Sequence, residues 1–144
     1  IGLGIPAEPL FRSRDQGFGE EFLCRGLLMQ TFGSWFKIPI VAIILQAAIF
    51  AVLHPYQLFS LISVLCTGLV YGLITWYCQG LEASSAMHSV NNIAAFIAIG
   101  FGLQQGAGGN ASDPIALLIN VAVVVIPAII VIILDKFNLM GFES

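Results

Sequence analysis

Residues 114–134 read PIALLINVAVVVIPAIIVIIL, an apolar run relieved only by Asn120 and two prolines. Crossing the hydrocarbon core of a bilayer takes about 20 consecutive, mostly apolar residues in a helix. This stretch supplies them and is predicted to be a membrane helix. Pro114 falls in its first turn, where a missing N–H costs little, and Pro127 is an expected kink. Four more helices are predicted upstream: Gly17–Trp35, Ile38–Leu53, Gln57–Cys78 and Ala83–Phe101. Pro39 opens the second in the same tolerated position. His54-Pro55 closes it, because a residue before proline avoids the helical region. The third carries Gly68-x-x-x-Gly72, a spacing that lets another helix approach closely.

Short connections between these runs predict one all-α, polytopic transmembrane bundle of about five helices, with an internal polar cavity. No internal repeat and no soluble second domain is expected. Residues 1–144 read as a single intramembrane core. Residues 1–16, IGLGIPAEPLFRSRDQ, read as an interfacial lead-in with an amphipathic piece near Leu10 and Phe11. The chain opens at Ile1 without Met, so an excised core is expected. Asn110-Ala111-Ser112, in the loop before the last helix, matches the glycosylation sequon by chance composition rather than by use.

Composition agrees with a membrane class. Of 144 residues, 58% are hydrophobic and 9% charged, against about 25% charged in an ordinary soluble domain. The net charge of −3 is scattered and gives no basis for a nucleic-acid partner. Cys24, Cys66 and Cys78 form no CxxC pair and read as free thiols packed as small hydrophobes. Arg12 and Arg14 oppose Lys37 and Lys136 across the predicted spans, so the positive-inside rule returns a tie. The reading is therefore an integral, multi-pass protein of unspecified membrane.

In such a chain the polar residues carry the information. A charge at bilayer depth costs at least about 2.5–3.5 kcal/mol on insertion scales, yet the first helix holds Glu20, Glu21 and Arg25. Glu21 and Arg25 are four apart, about 40° around the helix, and can pair. Glu20 is turned about 100° from Glu21 and can face a cavity. His88 and Asn92 share one face of the fourth helix, while Asn91 lies on its flank and is the weaker candidate. Each feature has a plainer reading by itself: a Glu–Arg brace, a histidine capping a helix end at His54, a polar seam at His88–Asn92. Taken together they make a kit for hydrolysis. Glu20 would act as general base on water, and a histidine with an Asn amide would stabilise the oxyanion. No serine or cysteine stands in a nucleophile-elbow context. Zinc is the competing account, with Glu20, His54 and His88 as ligands and Glu21 as base, although there is no HExxH helix. The favoured reading requires no cofactor.

These residues also carry a resemblance. EEFLCR (Glu20–Arg25) resembles the EExxxR motif of the CAAX-protease and bacteriocin-processing family of intramembrane proteases. FAVLH (Phe50–His54) resembles its FxxxH motif, and HSVNN (His88–Asn92) its third motif, in the same order. GLVYGLITWYCQGLEASSAMH, between the second and third motifs, is similar to its glycine-spaced helix. The resemblance covers about Gly17 to Phe101. It implies a bundle with a hydrated cavity, peptide-bond hydrolysis near the membrane interface, and a peptide or protein substrate. Prenylated CAAX C-termini or bacteriocin-type peptides are the implied substrate classes. Glu20 then matches the water-activating glutamate, Arg25 its ionic support beside Glu21, His54 the second-motif histidine, and His88 and Asn92 the oxyanion binders. The family usually carries further helices before EExxxR, where this chain has about 16 residues. A non-proteolytic scaffold or immunity protein, or a proton or metal translocator, would keep the same residues for other ends.

Overall fold

The computed structural model describes residues 15–54, 56–103 and 114–137. The amphipathic lead-in, Arg12, Arg14, Pro55 and the sequon fall outside those residues. Among the described residues every regular element is helical. Helix α1 covers residues 15–36, so Asp15 and Gln16, expected in the lead-in, are already helical. The others are α2 (Pro39–Val52), α3 (Leu58–Cys78), α4 (Glu82–Gly100) and α5 (Pro114–Lys136). These five match the predicted helices to within a residue or two at each end.

The helix boundaries follow from local chemistry. At the end of α1, Lys37 turns left-handed at φ 56° and its N–H caps the Gly33 carbonyl at 2.9 Å. Ile38 is extended, as a residue before proline must be, and Pro39 starts α2 at its first position. Gln79, left-handed at φ 54°, ends α3. Within α1 the segment Phe22–Leu28 is π-helical, and the Met29 N–H reaches the Cys24 carbonyl five residues back. Such wide turns are rare and concentrate at functional sites.

Helix α3 is the hub, and its most extensive contacts are with α2. The two glycines of the predicted close approach lie in this interface. A Cβ at Gly68 would stand 3.1 Å from both the Cα and the Cβ of Ala47. One at Gly72 would meet the Gln46 amide and the Ile43 side chain. Met29 of α1 packs with Ala42 and Ile43 of α2, flanked by Phe32 and Leu69. Thr75 of α3 donates to the Ser84 hydroxyl of α4 at 2.8 Å, and the Tyr77 hydroxyl donates to Asp135 of α5 at 2.8 Å. Cys24, Cys66 and Cys78 are all free thiols.

Among the described residues, α3 and α5 are long and apolar enough to cross a membrane. At 1.5 Å per residue the 21 residues of α3 rise about 32 Å, close to the ~30 Å hydrocarbon thickness. Helix α5 buries only Val124 and Ala128 and leaves Ile115, Leu118, Ile119, Ile126 and Ile129 exposed. So broad an apolar face suits lipid, and a water-soluble surface does not carry it.

Candidate active site

Glu21 and Arg25 meet as their spacing predicts. Arg25 Nη1 donates to Glu21 Oε1 at 2.9 Å, and both side chains are wholly buried. Arg25 Nη2 donates at 3.2 Å to the Gly68 carbonyl, which also receives the Gln46 amide at 2.8 Å. Gly68 therefore serves twice, lacking a side chain so that α2 can approach and offering a carbonyl that anchors two polar side chains. The guanidinium lies 4.6 Å from the Phe50 ring centre and 5.6 Å from that of Tyr71. Both faces are favourable for a cation.

His88 binds the same carboxylate from α4. Its Nδ1 donates to Glu21 Oε1 at 2.8 Å, across 67 residues of sequence. A carboxylate oxygen only accepts, so the Nδ1 proton is fixed there. The other ring nitrogen, Nε2, stands 3.5 Å from Glu20 Oε2. Glu20 keeps a quarter of its side-chain surface exposed, whereas Glu21 keeps none. Gln16 donates to Glu20 Oε1 at 2.7 Å. One imidazole thus bridges a sealed carboxylate and an open one.

His54 is placed by the end of α2. The Leu53 N–H returns to Ile49 and the His54 N–H to Ala51, which leaves the Phe50 carbonyl without a helical partner. His54 Nδ1 donates to that carbonyl at 2.8 Å. In the neutral ring Nε2 is then an acceptor. Phe50 sits at the centre of the site, 4.7 Å from the His54 ring and 5.9 Å from the His88 ring, between centres. The spacing of Phe50 and His54 is therefore that of a ring returning to the carbonyl one turn before it.

Glu20, His54, His88, Asn91 and Asn92 line one cavity of about 340 Å³. This falls at the lower end of ligand-site volumes, roughly 300–1,000 Å³. The structure brings all six predicted residues together, four on the cavity wall and Glu21 and Arg25 behind it. It adds to the sequence reading in three ways. The Glu21–Arg25 pair also orients His88. Asn91, ranked below Asn92 on helical geometry, shares the wall. His54 has its Nδ1 proton engaged by the Phe50 carbonyl.

Three contributors were missed. Gln46 is fully buried and is the lone polar residue of α2, a signal present in the sequence. Tyr56, just beyond α2, lines the cavity with its ring centre 5.5 Å from that of His54. Burial, reinforced by the Glu20 charge, pushes its phenol up from the ordinary value, so it stays a donor. Asn120 of α5 lines the far wall. As for zinc, no group of three or more His, Cys, Asp or Glu side chains is spaced to hold a metal ion among the described residues. Glu20, His54 and His88 share the cavity without forming such a set.

No curated protein and no solved structure matches the chain. A family model described as Type II CAAX prenyl endopeptidase Rce1-like matches residues 15–94, a span that holds all six site residues. The chain belongs to that Rce1-like family of CAAX proteases.

Proposed function

We propose that the protein is a multi-pass intramembrane endopeptidase in which Glu20 activates a water molecule against a peptide bond of a prenylated CAAX-type C-terminus. Family membership supplies the general activity, a CAAX-type protease acting on a peptide or protein. The observation that carries the assignment of roles is the contrast between the two adjacent glutamates. Glu20 is open to the cavity and within 3.5 Å of His88 Nε2, while Glu21 is sealed against Arg25 and His88 Nδ1.

Glu20 takes a proton from water as the water oxygen attacks the scissile carbonyl carbon. His54 Nε2, an acceptor in the neutral ring, orients that water. His88, held by Glu21 and protonated on both nitrogens in this step, donates to the developing oxyanion together with the Asn92 amide. As the tetrahedral adduct collapses, the C–N bond breaks and Glu20 passes its proton to the departing nitrogen. The products are a carboxylate and a protonated amine, the acid proton of the new carboxyl group passing to the freed nitrogen. Arg25 holds Glu21 in place, and thereby keeps the His88 ring in its working orientation.

The test is cleavage by reconstituted protein of matched farnesylated and unmodified C-terminal peptides, with Glu20→Ala in parallel. The proposal expects the farnesylated peptide to lose its last three residues with the wild type alone. Cleavage of unmodified peptides at equal rate would remove the prenyl requirement. Cleavage of nothing, by folded protein, would favour the scaffold or immunity reading.

A further inference from the structure

The catalytic side chains occupy one part of the cavity, and their chemistry does not account for the rest of its wall. Helix α5 lies beyond residues 15–94, the span shared with the family, and it contributes Asn120, Ile119 and Val123. Asn120 is the lone polar residue from Pro114 to Leu134. A side-chain amide facing hydrocarbon would have no compensation, and Asn120 instead lines the cavity. On the α4 wall, Asn91 lines it as well. Neither amide makes a hydrogen bond with another described residue, so neither serves as glue between helices. Each offers two N–H donors and a carbonyl acceptor. Among the described residues the wall holds no lysine or arginine, and Glu20 is its lone carboxylate.

We propose that Asn91 and Asn120 form a neutral subsite that hydrogen-bonds the backbone amide groups of an extended substrate segment and so aligns it across Glu20. The chemistry matches the ligand: a primary amide complements the carbonyl and N–H of a peptide unit. The subsite rests on the peptidase reading, and it assigns the alignment of substrate to a helix outside the family-matched span.

The experiment uses full-length Glu20→Gln protein in lipid nanodiscs and a fluorescent farnesylated CAAX peptide, which that variant holds uncut. Binding is compared with a series in which each backbone amide in turn is replaced by an ester, removing one N–H. Asn120→Leu is then added. This substitution makes α5 more apolar, so its insertion is favoured, and thermal unfolding confirms the fold. One ester position is expected to weaken binding about tenfold, the loss of one good hydrogen bond. Asn120→Leu should weaken the intact peptide by a similar factor and make that same ester position cost nothing further. Asn91→Leu should do so at a different position. Undiminished binding to Asn120→Leu, or ester and Asn120→Leu effects that multiply at every position, overturns the subsite. So does failure of the parent variant to bind peptide at all. Coupled binding losses in a protein whose wild type cuts no peptide would leave the subsite standing and sink the peptidase reading instead.

Discussion

Removing Arg25 should destabilise the protein more than any other single polar substitution. Arg25 and Glu21 are both fully buried and meet at 2.9 Å. Taking away one member of a buried ion pair typically costs about 3–5 kcal/mol, because the other charge is left uncompensated. Arg25→Met fills similar volume and isolates that electrostatic loss from a cavity effect. It also removes the Gly68 hydrogen bond and the contacts with Phe50 and Tyr71; a cation over an aromatic face adds roughly 0.5–2 kcal/mol. For a chain of this size ~1 kcal/mol moves the melting temperature by about 3–5 °C, so a fall of about 10 °C or more is expected. Unfolding in detergent micelles, followed by the fluorescence of Trp35 and Trp76, measures it. Adding Glu21→Gln to Arg25→Met removes the orphaned charge and should recover about half or more of the loss. If Arg25→Met melts within a degree or two of wild type, or if the double variant falls by the sum of the singles, the buried pair is not what holds this site together.

Four further outcomes follow. Gly68→Ala should cost about 1–3 kcal/mol by overpacking, since its Cβ would press on the Ala47 backbone at 3.1 Å; the same unfolding assay reads it. Glu21→Gln should reduce kcat with little change in KM, because Glu21 orients His88 and does not face the cavity; steady-state kinetics separate the two. His54→Phe should lower kcat and leave the melting temperature near wild type, since His54 is only partly buried and its side chain hydrogen-bonds, among the described residues, to the Phe50 carbonyl alone. Exhaustive chelation should leave cleavage unchanged; activity abolished by chelation and restored by zinc would return Glu20, His54 and His88 to the role of ligands.

Local rules made the helices legible. Pro39 and Pro114 open their helices, His54 stands where α2 has ended, and Gly68 and Gly72 lie at the predicted close approach. The Glu21–Arg25 pair was legible for the same reason, as both residues sit on one helix. The link from Glu21 to His88 was not, because it joins α1 to α4 and no spacing rule reaches across 67 residues. The π-helical turn at Phe22–Leu28 has no composition signature either. Gln46 and Asn120 are lone polar residues in apolar runs, but what they face depends on how α2 and α5 rotate in the bundle. Tyr56 is an ordinary tyrosine after a proline until the end of α2 brings it beside His54.

The central claim is that Glu20, and not its neighbour, activates the water. Single-turnover cleavage of a farnesylated CAAX peptide by Glu20→Gln protein, with binding and melting temperature measured on the same sample, tests it most directly. Loss of a positioned general base should lower the rate by at least about 10²–10⁴-fold, with the peptide still bound and the protein still folded. Cleavage by Glu20→Gln at the wild-type rate would contradict the account.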